Sequence, residues 1–268
     1  MPYERELEAT LEAARKAGAM LLEEYARFQK IADAPADITT HADRHAQEIV
    51  LQHLRAAFPG DAFCAEEATA SLEGAPQSGP RLWIIDPIDG TRGFARKNGE
   101  FSVMVAFADQ GQIGVGAVLE PARARLTYAT RGGGCWRRDG DAGPVRCQVS
   151  TTAKLADATV TQSRSRSQAE PSREIRALAP RHILETYSAG IKLALVARGE
   201  ADLYLNTYEG FHDWDIAAGH ILVDEAGGKV SGLRGEELRY GLPGAWQRHG
   251  LLGSNGRVHE EAVTRLRQ

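Results

Sequence analysis

The hexapeptide Asp86-Pro87-Ile88-Asp89-Gly90-Thr91 sets two carboxylates three residues apart, directly after the apolar run Leu82-Trp83-Ile84-Ile85. That run reads as a buried strand. Pro87 has no N–H and a fixed φ, which predicts that the sheet stops at Asp86. The turn then aims both acids at one point, where their repulsion calls for protons or cations between them. A divalent metal answers that need. Glu66-Glu67 follows another short apolar segment, Ala62-Phe63-Cys64-Ala65, and reads as a second strand end. Asp215, in Trp214-Asp215-Ile216-Ala217-Ala218-Gly219, stands at a predicted helix start, where a carboxylate is favoured and still reaches outward. Asp43 lies just inside a predicted helix. Thr91 follows Gly90 at another helix start, whose free N–H groups suit a phosphate. Taken singly, Asp43, Glu66-Glu67 and Asp215 are ordinary capping or surface acids. The hexapeptide points to function by itself, because strand, paired acids and anion-ready turn coincide. Oxygen donors without clustered His or Cys select magnesium or manganese over zinc.

The elements that must position these residues follow from periodicity. Leu7, Leu11, Ala14, Gly18, Leu21, Tyr25 and Phe28 recur at steps of three and four, which predicts a first helix. Ala42, Ala46, Ile49, Leu51 and Leu54 predict a second, closed by Phe58-Pro59-Gly60. Residues 69–80 read as a surface loop. Strands are predicted over 101–108, 113–119 and 126–130, with Asp109-Gln110-Gly111 as a hairpin turn. Gly132-Gly133-Gly134 lacks a following GK[ST] and reads as a turn before a further strand, not a phosphate loop. From Thr151 the pattern alternates: strands at 158–161, 182–186, 201–205 and 251–254, helices at 190–198, 214–225 and 257–266. An antiparallel-rich first half and an alternating second half predict a layered α/β architecture in two lobes, 1–150 and 151–268.

Composition narrows the field. The chain has 268 residues, 43% hydrophobic and 25% charged, as expected of a soluble globular protein with an ample core. Its formal charge of −4 argues against a nucleic-acid polymer as partner. Cys64, Cys135 and Cys147 have no CxxC spacing and read as reduced thiols, neither disulfide frame nor zinc site. The charged start (Glu4, Arg5, Glu6, Glu8) and the absence of a run of about 20 apolar residues predict no membrane partner and a cytoplasmic location.

Glu66-Glu67, the hexapeptide and the WDIAAG segment, in this order and spacing, resemble the lithium-sensitive, magnesium-dependent phosphatases that include inositol monophosphatase and fructose bisphosphatase. The resemblance covers nearly the whole chain. It implies an αβαβα layered sandwich and a small phosphorylated metabolite as substrate; the dimers common in the family make a homodimer an expectation. By motif position, Glu66, Asp86 and the Ile88 carbonyl would hold one Mg2+, while Asp86, Asp89 and Asp215 would hold a second. Glu66 would also help hold a third, weaker ion through water. Thr91, hydrogen-bonded to Asp43, would orient the attacking water, and the Gly90 and Thr91 amides would hold the phosphate. Two ions roughly 4 Å apart lower the pKa of a bound water and neutralise the leaving oxygen, so no covalent phosphoenzyme is required. On this reading Asp89→Asn abolishes turnover and leaves the fold intact.

Substrate choice must come from other residues. The stretch DPIDGTRGFARKNGEFSV, with a basic residue after DGT, resembles the 3′(2′),5′-bisphosphate nucleotidase branch of that family. So does Thr161-Gln162-Ser163-Arg164-Ser165, although Arg166 stands where that branch carries His. Ser188-Ala189-Gly190-Ile191-Lys192 resembles its GSSLK segment, departing at the second and third positions. Lys192, Ser188, Ser163, Arg164 and Arg166 would then face the substrate, with Lys192 and the arginines as donors to a second phosphate. The expected reaction converts adenosine 3′,5′-bisphosphate to AMP and phosphate. An inositol or sugar monophosphatase is the first alternative, because Tyr208-Glu209-Gly210-Phe211-His212-Asp213 is similar to an inositol-enzyme segment whose glutamate binds a hydroxyl. A noncatalytic phospholigand-binding protein is the second; the presence of both Asp43 and Thr91 speaks against it.

Overall fold

The computed structural model describes residues 3–35, 37–164 and 171–267. Two helices, α1 (Glu4–Arg27) and α2 (His41–Ala57), precede β1 (Ala62–Ala65), a short α3 (Ala70–Glu73), β2 (Arg81–Asp89) and α4 (Thr91–Ala95). An antiparallel run follows: β3 (Ser102–Asp109), β4 (Gln112–Glu120), β5 (Arg125–Thr130), β6 (Gly134–Asp139) and β7 (Val145–Arg146). These strands form one seven-stranded sheet in chain order, with only β1 and β2 parallel. The second half supplies β8 (Thr159–Ser163), α5 (Arg173–Leu178), β9 (His182–Thr186), α6 (Ala189–Ala197), β10 (Leu203–Asn206) and β11 (Phe211–His212). It closes with α7 (Asp213–Glu225), β12 (Lys229–Ser231), β13 (Trp246–Gln247), β14 (Leu251–Ser254) and α8 (His259–Leu266). A second, five-stranded sheet runs β12-β14-β10-β8-β9, and β11 pairs with β13.

Alternation along the strands decides the layers. Trp83, Ile85, Val103, Val105 and Phe107 face α1 and α2, burying the alanine-rich stripe Ala13, Ala14, Ala17 and Leu21. Leu82, Ile84, Met104 and Ala106, on the opposite face, pack on α6 and α7 through Leu193, Ala217, Ala218 and Ile221. Tyr204, Val230 and Leu251 of the second sheet cover the other side of those helices. Val160, Leu203, Leu205 and Leu252 face α5 and α8. The result is the expected αβαβα sandwich, with one core cluster drawn from both sides of residue 150. No helix among the described residues is long and apolar enough to cross a membrane.

Two departures from the sequence reading, and one contact within a turn that it anticipated, are informative. β2 does not stop at Asp86. It runs to Asp89 through a bulge, since Asp86 pairs with Met104 and Asp89 with Ser102, leaving one extra residue on β2. Pro87, which cannot donate to the ladder, sits in that irregularity, a place where a strand tolerates proline. Residues 69–80 contain the short α3 and are not entirely loop. The triple-glycine turn does bind an anionic group, but one from its own chain: the Gly132 and Gly134 amides donate to the Glu225 carboxylate, each at 2.8 Å.

Candidate active site

A cleft of about 660 Å³ opens where β1, β2, β8 and β10 end and α4 and α7 begin, and Glu66, Asp86, Ile88, Asp89, Gly90, Thr91 and Asp215 all line it. The β2 bulge delivers Asp86 and Asp89 to one wall. Gly90 then turns the chain at φ 87, and a Cβ there would lie 2.7 Å from the Glu100 carbonyl, so only glycine fits. Thr91 begins α4, leaving the amides of the turn at a helix N-terminus. Its hydroxyl lies 2.9 Å from Asp43 Oδ1 and 2.9 Å from the Ile88 carbonyl. Asp43 is fixed in turn by the Thr40 amide at 2.7 Å and the Thr40 hydroxyl at 2.6 Å, as the N3 acid of α2's capping box. The expected pair of Asp43 and Thr91 is therefore brought together.

Glu66 and Glu67 part company. Glu66 enters the cleft. The backbone of Glu67 is clasped by the buried Gln47 of α2: Gln47 Oε1 accepts from the Glu67 amide at 2.8 Å, and Gln47 Nε2 donates to the Glu67 carbonyl. Thr39 donates to the Glu67 carboxylate at 2.6 Å. Gln47 thus positions Glu66 from behind, a role that no sequence spacing announces. Asp215 is the N3 acid of α7 and accepts from the His212 amide at 2.6 Å. The His212 ring stacks on Trp214 with centroids 4.2 Å apart and an interplanar angle of 7°. Asp213 ties the β13 side of the cleft down through the Gly241 amide at 2.7 Å and Gln247 Nε2 at 2.8 Å.

The electrostatics are those of crowded acids, with Asp43, Asp86 and Asp89 buried, Asp215 half-buried and Glu66 open to the cleft. Burial, then the charges of Asp215 and Asp43, pushes Glu66 up to about 8. Burial pushes Asp215 up to about 7. Asp86 is raised well above the carboxylate range by burial and by Glu66, Asp89 and Asp215 around it. Burial also raises Asp43, against the hydrogen bonds from Thr40 and Thr91. Among the described residues no three His, Cys, Asp or Glu side chains form a ready metal cage. The donor set nevertheless fits a hard divalent ion. It is oxygen-only, it repels itself, and Asp86 Oδ1 is a buried acceptor with no hydrogen-bond partner. Asp89 fits less freely. Its Oδ2 accepts from the Ser102 and Ser188 hydroxyls and from the Gly190 amide, and its Oδ1 from the Ala189 amide at 3.0 Å, which leaves one lone pair on Oδ1.

The substrate-side expectations divide. Ser163 lines the cleft and accepts from Asn206 Nδ2 at 3.2 Å. Arg164 lines it too, but is engaged by Glu100 at 2.6 and 3.2 Å. Ser165 and Arg166 lie outside the described residues. Lys192 does not reach the cleft. It is fully buried, and its Nζ donates to the carbonyls of Thr186 and Tyr187 at 3.0 and 2.9 Å. Burial lowers its pKa from the ordinary value to about 8, against the charges of Asp89 and Glu100, which favour its charged form. Ser188 is likewise buried, serving as the N-cap of α6 by accepting from the Ile191 amide at 2.9 Å. Glu209 faces a different groove, because Asn206, Tyr208 and Phe211 take the cleft side of that segment while Thr207 and Glu209 take the other. In their place stands Arg92, with the Tyr187 ring beside it. Arg92 lines the cleft with its guanidinium 5.4 Å from the Tyr187 ring centroid and its Nε donating to the Ala34 carbonyl at 3.1 Å. The only sign of it in the sequence is the basic residue after DGT.

Residues 3–268 match the profile of the inositol monophosphatase family. The chain belongs to that family. It is 32% identical over 268 residues to the Thermotoga maritima fructose-1,6-bisphosphatase/inositol-1-monophosphatase, covering 96% of this chain and 94% of that one. It is also 32% identical over 245 residues to the Salmonella typhimurium 3′(2′),5′-bisphosphate nucleotidase CysQ, covering 87% and 93%. Among solved structures, the Thermotoga maritima inositol monophosphatase superposes with a TM-score of 0.81 at 30% identity, over 98% of this chain and 97% of that one. The protein is a phosphatase of the inositol monophosphatase family, whose enzymes are generally metal-dependent.

Proposed function

We propose that this phosphatase removes one phosphate from a bisphosphorylated nucleotide, converting adenosine 3′,5′-bisphosphate to AMP and phosphate with magnesium. Arg92 carries this reading. Its guanidinium faces the cleft from the residue after Thr91, and among the described residues no carboxylate lies within ion-pair distance of it. A cation so placed suits a second phosphate. Tyr208, 62% exposed at the mouth of the same cleft and edge-on to Phe211 at 5.6 Å, offers a ring for a base to stack on. The polyol reading loses its main support, because Glu209 does not face the cleft.

Glu66, Asp86 and the Ile88 carbonyl would hold one ion, and Asp86, the open lone pair of Asp89, and Asp215 a second. Bound there, divalent ions polarise the phosphoryl group, acidify water and neutralise the departing alkoxide. Asp43 accepts the Thr91 hydroxyl proton, so a Thr91 oxygen lone pair is left to accept from the attacking water and aim it. The Gly90 and Thr91 amides hold phosphate oxygens at the mouth of α4. Arg92 and Tyr187 grip the second phosphate, which orients the ester for in-line attack.

Parallel turnover of adenosine 3′,5′-bisphosphate and inositol 1-phosphate tests the reading. Arg92→Ala is expected to lower kcat/KM for the bisphosphate by roughly ten- to a hundredfold, the worth of a charge-assisted phosphate contact, and to spare the monophosphate. A wild-type preference for inositol 1-phosphate would end the nucleotide assignment.

A further inference from the structure

A groove of about 890 Å³ lies outside the cleft, between α5, α8 and the loops that flank β12 and β14. At roughly 30 Å³ per water it has room for about thirty water molecules. Five arginines line it: Arg173 of α5, Arg234 after β12, Arg248 before β14, Arg265 of α8, and Arg267 just beyond α8. Three glutamates accompany them and Arg265 is paired with Glu261 at 2.6 Å, so the positive surplus of the groove rests on Arg234, Arg248 and Arg267.

The surplus is built in, not incidental to a salt-bridge network. Arg267 Nε donates to the Arg234 carbonyl at 3.1 Å, which draws two cationic residues together without neutralising either. Arg248 lies 4.7 Å over the Trp246 ring. Among the described residues no carboxylate is within ion-pair distance of Arg234, Arg248 or Arg267. Glu236, which lines the groove beside them, is committed to its own turn: its Oε2 accepts from the Arg234 amide at 2.9 Å and its Oε1 faces His249 at 4.0 Å. Like charges held together repel unless an anion joins them. The guanidinium groups of Arg234, Arg248 and Arg267, arriving from three segments around one concavity, match the several oxygens of a phosphate chain better than a lone phosphate.

We propose that this groove is a second ligand site, which binds a small polyanion carrying two or more linked phosphates. It is distinct from the cleft, although the segment 206–211 forms a wall common to both. Isothermal titration of the full chain in magnesium buffer with inorganic tripolyphosphate, and separately with ATP, tests it. Saturable one-to-one binding is expected, with the two ligands within a few-fold of each other and inorganic phosphate at least tenfold weaker. Arg234→Glu combined with Arg248→Glu should weaken tripolyphosphate roughly a hundredfold, since two charge-assisted contacts are lost. Arg234→Lys keeps the charge but loses the planar fork, so it should weaken binding by no more than about tenfold, which separates lost charge from a damaged fold. Asp215→Asn, which disables the cleft, should leave the titration unchanged. The proposal is overturned by the absence of saturable binding, by indifference to the charge reversal, or by loss of binding in Asp215→Asn. Each of these outcomes can be reached whether or not the cleft accepts a nucleotide.

Discussion

Replacing Asp215 by asparagine is expected to strengthen the metal-free fold while ending turnover. Burial displaces this carboxyl from 3.8 to about 7. Between those values the folded chain keeps a proton that the unfolded chain has released, so stability is lost progressively as pH rises from about 4 to about 7 and levels off above that. Some three units correspond to roughly 4 kcal/mol, expressed in full above about pH 8 and less than half as large near pH 5. Water entry and local relaxation reduce the measurable figure to about 2–3 kcal/mol. Asparagine removes the penalty but keeps an oxygen for the His212 amide, which lies 2.6 Å from the carboxylate. Urea unfolding in EDTA, for wild type and Asp215→Asn at about pH 5 and about pH 8.5, measures the effect. The variant should be the more stable at the higher pH, with the gap shrinking at the lower. Added magnesium should erase or invert the ranking, because only the wild type gains from the ion. A variant that is less stable than wild type at high pH, or a gap that ignores pH, would refute the account of Asp215 as a charge held under strain for a cation.

Four further outcomes are expected. Thr91→Ala, which removes the hydroxyl 2.9 Å from Asp43, should lower kcat at least a hundredfold with KM within about threefold, as steady-state kinetics will show. Gln47→Ala frees the backbone of Glu67 and should raise the magnesium concentration for half-maximal activity about tenfold, read from a metal titration. Lys192→Met strands the Thr186 and Tyr187 carbonyls and should cost about 1–3 kcal/mol in denaturant unfolding, while the ratio of bisphosphate to monophosphate turnover stays within about twofold. Asp89→Asn should lose both turnover and about 2 kcal/mol or more of stability by thermal or urea melts, since an amide cannot accept from the two serines and two amides that converge on this carboxylate.

That last outcome revises what the hexapeptide alone suggests. From spacing, Asp89 is a ligand that can be neutralised without harm to the fold. In the folded chain it also fastens β2 to the start of α6, a contact separated by about a hundred residues and invisible to any local pattern. The strands and helices were legible because their apolar periods match the faces they bury, and the acidic set was legible because the carboxylates sit at element ends. Where the reading failed, orientation was at fault. Pro87 was compatible with a strand because a bulge absorbed it. Lys192 and Ser188 lie in a segment that packs inward between two sheets, so their polar atoms serve the backbone. Glu209 fell on the far side of an extended segment whose alternation sends Asn206 and Tyr208 to the cleft.

The two helices of the middle layer, α6 and α7, have sheets on either side and almost no surface of their own. An element walled in this way has little freedom to exchange one side chain for a larger one, and the acid at the head of α7 inherits that immobility. The rim is otherwise. Arg164, Tyr187 and Tyr208 hang from turns and short segments, and Arg92 projects from the short α4, so their side chains can be exchanged while the backbone beneath is kept. Retargeting such an enzyme to a new ester is therefore a matter of reshaping its lip, with the seat of the reaction left as it stands.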